Sequence, residues 1–180
     1  MYIWCAIDID GQVAKARQKV AWVCDEMGIE NPTLTLPYHI SLKISCEVAD
    51  ERFAEAENRI NAYFSAIRPF EIATEGIERQ GGIVWIKHRE SEELRAIHSW
   101  LVELFDRQYG VPPHEFDLSF AYHTSLYVGD EETARMIYDA VKDEPIPEGL
   151  VADRFVIGCS ESGKAGEYRV IKTYHIGEKL

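Results

Sequence analysis

The sequence has little positive charge and no long apolar run, and each shortage argues against a class of protein. Lysine and arginine number 19 among 180 residues, against 31 aspartates and glutamates, so the formal net charge is −12. A protein that binds long nucleic acid needs a broad basic surface, because each neutralised phosphate releases counterions. No apolar run approaches the ~20 residues of a membrane span, and no basic segment precedes the apolar start of the chain, as a signal peptide would require. We therefore expect no long nucleic acid and no membrane among the partners.

Cysteine is also scarce. The four cysteines lie at positions 5, 24, 46 and 159 and show no Cys-x-x-Cys spacing. A chain of this length can bury a sizeable core without disulfides, so reduced thiols in a cytoplasmic protein are the simplest interpretation. Hydrophobic residues make up 46% of the chain and are spread along it, which predicts a single globular domain over residues 1–180.

One short pattern occurs twice. Histidine, any residue, serine and an apolar residue follow one another at 39–42 and again at 123–126, so the histidines lie 84 positions apart (123 − 39). Because a β-strand turns every second side chain to the same face, each pattern directs one imidazole and one hydroxyl to one surface. Two such strands side by side would place two imidazoles across a groove, with a hydroxyl beside each.

The two patterns lie at matching points of an internal repeat, about 1–78 and 82–158. Each unit predicts a strand, a helix, a motif strand, a second helix and a third strand. The predicted elements of the first unit are strand 3–9, a helix over 12–27 closed by Gly28, motif strand 39–46, a helix capped by Asp50 and ending near 67, and strand 70–77. Those of the second unit are strand 83–87 with Trp85 in the place of Trp4, a helix capped by Ser91, motif strand 122–128, a helix capped by Asp130 and ending near 141, and strand 151–157. A last strand over 168–176 follows a glycine-bearing loop.

This order predicts an α/β (α+β) fold with two pseudo-symmetric lobes. Each lobe is expected to hold a small, mostly antiparallel sheet and two helices, with a cleft between the lobes. The polar side chains of the motif strands would face this cleft: His39, Ser41 and Lys43 from the first strand, and His123, Ser125 and Tyr127 from the second. A polar face on an inner strand is costly unless it binds something, which favours a functional site.

The chemistry of phosphodiester cleavage requires these residue types. A base takes the proton from the attacking oxygen and an acid protonates the leaving oxygen, and imidazole suits either task near neutral pH. Hydroxyl groups can donate hydrogen bonds to the non-bridging oxygens, whose charge grows in the transition state. We therefore expect His39 and His123 to be the acid–base pair, with Ser41 and Ser125 beside them and no metal or cofactor.

Other residues are weaker candidates for substrate binding. Lys43 either contacts phosphate or is a solvated lysine at a strand end. Trp4, Tyr2 and Tyr127 either stack on a base or pack between the lobes. The remaining histidines, at positions 88, 98, 114 and 175, lack a motif and are expected to be structural or exposed.

The doubled pattern resembles the two-histidine phosphoesterase superfamily, which includes bacterial 2′-5′ RNA ligase-like proteins and 2′,3′-cyclic nucleotide phosphodiesterases. The resemblance covers nearly the whole chain in order and spacing, although only the two tetrapeptides are specific. It implies that His39 and His123 are the acid–base pair, that Ser41 and Ser125 hold the phosphate, and that the chemistry needs no metal. RNA ligase-like members often carry an arginine shortly after the second motif, where this chain has residues 127–129 as Tyr-Val-Gly. With the acidic balance, this difference argues against RNA ligation.

Two functions of different classes fit these observations. The first is a phosphodiesterase that hydrolyses a 2′,3′-cyclic phosphate on a small nucleotide or an RNA end. The second is a module of the same fold that binds a nucleotide or RNA end with little or no catalysis. A metal hydrolase is a third and poorer alternative, because two histidines without carboxylates on the same face are a thin ligand set.

Overall fold

The structure of the protein is a computed structural model that describes residues 1–164 and 166–178. Its strands are β1 (Tyr2–Asp8), β2 (His39–Ser41), β3 (Cys46–Glu47), β4 (Phe70–Gln80), β5 (Ile83–His88), β6 (His123–Val128), β7 (Gly149–Ala152), β8 (Arg154–Ser160) and β9 (Arg169–His175). Its α-helices are α1 (Ala14–Met27), α2 (Phe53–Ala66), α3 (Glu92–Tyr109) and α4 (Glu131–Val141). Short 3₁₀ turns cover Pro32–Thr35, Asp50–Arg52 and Glu115–Asp117.

The strands form two antiparallel sheets, which confirms the predicted fold class. The first sheet has the order β2-β1-β8-β9, with β3 also paired to β1, and the second has the order β6-β5-β4-β7. The motif strands β2 and β6 therefore occupy corresponding edges of the two sheets. They contact each other without hydrogen-bonded pairing, so the two motifs meet where the lobes join.

The sheets do not coincide with the two repeat units, because the units exchange their last strands. β4 closes the first unit but pairs with β5, whereas β8 closes the second unit but pairs with β1. The turn between β4 and β5 explains the first exchange. Gln80 and Ile83 are paired, so only Gly81 and Gly82 connect the strands, and Gly81 has the positive φ of 54° that tight hairpin turns require. A loop this short makes β5 a neighbour of β4, and β7 pairs with the other edge of β4.

N-terminal helix capping agrees with the sequence at two of the three predicted residues. The Ser91 hydroxyl accepts a hydrogen bond from the Leu94 backbone and caps α3, and Asp130 caps α4 through the Thr133 N–H. Asp50 was predicted to cap α2 and does not. Its carboxylate instead lies 2.8 Å from the amino group of Met1, and the helix begins only at Phe53. Among the helices of the described residues, none is long and apolar enough to span a membrane.

Both motif strands depart from regular alternation. The first was predicted to continue to residue 46, but β2 ends at Ser41 and pairing with β1 resumes only in β3. The Ile44 N–H leaves the sheet and donates to the carboxylate of Asp117 at 3.2 Å. In β6, Ser125 pairs with Trp85 and Tyr127 pairs with Val84, so Leu126 is an extra residue in a β-bulge. A bulge reverses the facing of every residue that follows it.

Candidate active site

The two motif histidines are held by the same local hydrogen bond. His39 Nδ1 lies 2.7 Å from the carbonyl oxygen of Pro37, and His123 Nδ1 lies 2.9 Å from that of Ala121. A carbonyl oxygen only accepts, so each Nδ1 carries the hydrogen and donates it. Each ring therefore keeps Nε2 available for proton transfer, as a catalytic base or acid requires.

A tryptophan packs beside each motif histidine. The Trp4 and His39 ring centroids lie 4.4 Å apart in an edge-on arrangement, and those of Trp85 and His123 lie 5.4 Å apart. The two lobes differ at the serine of the first motif. Trp4 Nε1 donates to Ser41 Oγ over 3.2 Å, so the hydroxyl oxygen of Ser41 accepts and its own hydrogen is free to point elsewhere.

The two motifs meet at a cavity of about 350 Å³. Its lining includes five of the residues predicted from sequence, namely Trp4, His39, Ser41, Lys43 and Ser125. His123 is not part of this lining, but it lies two positions before Ser125 on β6, and its electrostatic effect reaches His39. Both motifs therefore contribute to one region of the molecule.

The surroundings of His39 favour its neutral form. Burial lowers the pKa of His39 to about 4, an effect that the hydrogen bond to Pro37 opposes and the neighbouring His123 ring reinforces. A neutral imidazole with Nδ1–H fixed has its lone pair on Nε2. At pH 7 His39 is thus in the form that accepts a proton.

Lys43 does not share a strand face with His39, and that prediction is wrong because β2 ends at Ser41. The Lys43 side chain is only 4% exposed, and its Nζ lies 3.1 Å from the buried carboxylate of Asp117. Burial acts to raise the pKa of Asp117, but the His114 N–H and the Lys43 ammonium hold it below its usual range. Lys43 reaches the cavity wall as half of an ion pair, not as a free cation.

Tyr127 was predicted to face the cleft, and this prediction is also wrong. The bulge at Leu126 turns Tyr127 into the hydrophobic core, where it is 3% exposed, and brings Val128 to the cavity wall instead. Tyr2 shares the Trp4 side of β1 but lies outside the cavity lining. Its ring packs so closely on Gly163 that a Cβ atom there would come within 2.9 Å of it.

Sequence reasoning missed other parts of the cavity wall, among them Thr33, Leu36 and Tyr168. The Tyr168 hydroxyl donates to Ser45 Oγ over 2.6 Å, which ties the start of the last strand to the first motif segment. These contacts join distant segments and leave no local pattern. One signal was present at Gly158, in the middle of β8, where a Cβ atom would come within 2.4 Å of the Trp4 ring. A glycine inside a strand marks such a close approach.

Histidines outside the two motifs are expected to be structural or exposed, and two of them, His88 and His98, are buried and hydrogen-bonded. His88 Nε2 lies 2.9 Å from Thr124 Oγ1, behind the second motif strand. His98 bridges the Leu42 carbonyl at 2.9 Å and the Asp117 carbonyl at 3.0 Å. Within residues 1–164 and 166–178, no three histidine, cysteine or acidic side chains are grouped so that they could hold a metal ion.

The fold resembles several solved structures over nearly the whole of both chains. TT0787 of Thermus thermophilus aligns with a TM-score of 0.63, 15% identity and 100% coverage of each chain. E. coli LigT aligns with a TM-score of 0.60, 16% identity and 98% coverage of each chain. Usb1 of Kluyveromyces marxianus aligns with a TM-score of 0.50, 14% identity and 97% coverage of each chain. A search of curated proteins finds no match.

The two histidine motif strands and the family model that matches the chain define the class, which is that of the two-histidine phosphoesterases. The model of the 2′-5′ RNA ligase superfamily matches residues 9–162, a span that contains both motifs. The chain belongs to the 2′-5′ RNA ligase superfamily. This membership supports a phosphoesterase or RNA ligase-like enzyme.

Proposed function

We propose that the protein is a phosphodiesterase that hydrolyses a 2′,3′-cyclic phosphate on a small nucleotide or an RNA end. The observation that carries the proposal is the matched fixing of the two rings. Both histidines donate Nδ1–H to a carbonyl of their own chain segment and keep Nε2 free. Ser41 and Ser125 lie in the wall of the same cavity.

In the proposed reaction His39 is the base and His123 is the acid. Nε2 of His39 takes a proton from water while the water oxygen forms a bond to phosphorus. The bond from phosphorus to the 2′ or 3′ oxygen breaks, and Nε2–H of His123 protonates that oxygen. We assign the base to His39 because its burial lowers its pKa to about 4 and keeps the ring neutral. The products are a phosphomonoester and a free hydroxyl, and the scheme uses no metal or cofactor.

The two serines are proposed to bind the non-bridging phosphate oxygens. The Trp4 N–H already occupies the Ser41 oxygen as a donor, so the Ser41 hydrogen can be donated to the substrate. Negative charge on these oxygens increases in the transition state, and hydrogen bonds placed in advance stabilise it. Trp4 thereby acts in catalysis through Ser41, besides forming the cavity wall.

The cavity fits a small substrate better than a long polyanion. Lys43 is the one lysine or arginine in its described lining, and Asp117 neutralises it. Trp4, Leu36 and Tyr168 provide a neutral wall for a nucleoside. Structures of E. coli LigT contain 3′-AMP, phosphate, ATP or NADP⁺, and these ligands support a small nucleotide here. The four cysteines are free and buried, in keeping with a proposed cytoplasmic location.

The proposal is tested with a substrate panel assayed in the presence of a chelator. The panel contains 2′,3′-cyclic nucleotides, linear 2′-5′ and 3′-5′ dinucleotides, and RNA that ends in a cyclic phosphate. We expect turnover of the cyclic phosphates alone, with a loss of about 10² or more in kcat for His39→Ala and for His123→Ala. His175→Ala is the matched control, because His175 is exposed at the end of β9.

Each other result identifies a different function. Turnover that survives both histidine substitutions would exclude the acid–base scheme. Turnover that the chelator abolishes would indicate a metal hydrolase. Nucleotide binding that needs both histidines, without turnover of any substrate, would indicate the binding module.

A further inference from the structure

The carbonyl oxygen of Leu126 accepts hydrogen bonds from the other lobe. Asn31 Nδ2 and Thr33 Oγ1 each lie 2.8 Å from it, and the Tyr38 hydroxyl lies 3.4 Å from it. All three donors come from residues 31–38, which we call the interlobe strap. The acceptor belongs to the second motif, whereas the strap leads directly into the first.

The Leu126 carbonyl needs these donors because of the β-bulge. Leu126 is the extra residue between the Trp85–Ser125 and Val84–Tyr127 pairs, and the extra residue of a bulge is left without a ladder partner. Its side chain is fully buried, and an unpaired carbonyl in such a place is costly. Asn31, itself 8% exposed, supplies a fixed donor from the opposite lobe.

The first lobe fixes the strap at its other side. Arg17 donates to the Leu34 carbonyl at 2.9 Å and to the Leu36 carbonyl at 2.8 Å, and it also pairs with Asp10. The Tyr38 N–H donates to the same Asp10 carboxylate at 2.8 Å. The strap is therefore a fixed part of the first lobe that ends one residue before His39.

We propose that Asn31 is a positioning residue, which sets the place of Ser125 and His123 relative to His39 through the Leu126 carbonyl. The bond fixes the bulge, and the bulge decides that Val128 and not Tyr127 faces the cavity. The kinetic part of this inference rests on the proposed function. Its geometric part does not, because it concerns the relative placement of two rings.

Asn31→Asp is the nearly isosteric variant that removes the bond, since it places a carboxylate oxygen opposite the Leu126 carbonyl oxygen where the amide nitrogen donated. The Asn31 side-chain oxygen caps the strap by accepting from Thr33 N at 3.1 Å, and a carboxylate preserves that acceptor. The substitution removes the side-chain N–H that donates to the Leu126 carbonyl. We expect kcat on a 2′,3′-cyclic nucleotide to fall about tenfold or more with KM within about twofold, because small misplacements of reacting groups are costly. Protonation of the new carboxyl group restores a donor, so the ratio of variant to wild-type kcat should rise as the pH falls.

Thr35→Val is the matched control. The Thr35 hydroxyl donates to the Pro32 carbonyl at 2.7 Å within the strap and is exposed, so its loss should leave kcat near the wild-type value. Thr33→Val removes a hydroxyl that lies within hydrogen-bond distance of both the Leu126 carbonyl and Asn31 Oδ1, and it serves if Asn31→Asp does not fold. An unchanged kcat in the folded Asn31→Asp and Thr33→Val variants, or an equal loss in Thr35→Val, would overturn the inference.

A second readout separates this inference from the proposed function. Inorganic phosphate is titrated into each protein while the ring signals of His39 and His123 are followed by NMR. In wild type we expect both rings to respond with one midpoint, because they face one bound ion. In Asn31→Asp the size of the response should fall for one ring relative to the other, because the bound ion no longer faces both rings. If wild type shows no turnover but the variant changes the ratio of the two ring responses, the proposed function fails and the positioning role stands; an unchanged ratio in the folded variant refutes the positioning role.

Discussion

The imidazoles of His39 and His123 each donate to the carbonyl two residues earlier in the chain. The orientation of each ring is thus determined by its own segment and needs no carboxylate from elsewhere. The lobes differ in their other contacts, since Trp4 bonds to Ser41 and His88 bonds to Thr124 between His123 and Ser125. The two histidines are thus oriented in the same way, whereas the hydrogen bonds of the residues around them differ between the two lobes.

His88 predicts how stability depends on pH. Burial lowers the pKa of His88 to about 3, with a smaller contribution from His123, whereas an unfolded histidine titrates near 6.5. Between these values the unfolded chain binds a proton at this position that the folded chain does not, so the free energy of unfolding falls as the pH falls below about 6.5. This residue contributes up to about 1.4 kcal/mol for each pH unit.

Urea unfolding at pH 7, 6 and 5 measures this slope. His39 has a lowered pKa as well, so wild type should lose stability steeply over this range. His88→Gln should reduce the slope by the contribution of one histidine, whatever its stability at pH 7. His175→Gln, at an exposed position, should leave the slope unchanged. An equal slope in wild type and His88→Gln would contradict the account of His88.

At the scale of elements, the second lobe depends on the close approach of two glycine-containing turns. A Cβ atom at Gly82 would come within 2.0 Å of the Gly129 carbonyl oxygen, and Gly129 N donates to the Gly82 carbonyl at 2.9 Å. The β4–β5 hairpin therefore packs directly on the end of the second motif strand. This contact and the bulge together determine where β6 ends.

Gly82→Ala should therefore destabilise the protein by about 1–3 kcal/mol, because backbone atoms must move to admit the methyl group. Gly149→Ala is the control, since a Cβ atom there meets nothing within 4 Å. Thermal unfolding of the two variants checks the difference. Equal melting temperatures for both variants would show that the turns are not in close contact.

Local sequence patterns predicted much of the candidate site. Contacts between distant segments explain why the predictions for Lys43 and Tyr127 failed. Alternation and capping signals predicted the strands around His39 and His123 and the starts of α3 and α4. The position of Lys43 could not be predicted, because Asp117 lies 74 positions away. Tyr127 was misplaced because the bulge at Leu126 is stabilised by the interlobe strap, which no pattern near residue 126 reveals.

In the whole molecule, each repeat unit contributes a strand to the sheet of the other unit: β4 pairs with β5, and β8 pairs with β1. The two lobes are therefore joined by the chain itself and by hydrogen bonds between strands. Each sheet combines strands from both repeat units, so neither unit can complete its sheet alone. The motif strands lie at the edges where the sheets meet. The sequence repeat predicted two similar sheets but not this exchange, because an internal repeat does not specify which strand of which unit becomes a neighbour.

If the two motifs form one acid–base site, a double-variant cycle will show that His39 and His123 act as a unit. kcat/KM for a 2′,3′-cyclic nucleotide is measured for wild type, His39→Ala, His123→Ala and the variant with both substitutions. Groups that act as a unit lose most of their effect when either is removed. We expect the double variant to be no more than about threefold slower than the slower single variant. Losses that multiply in the double variant would contradict it.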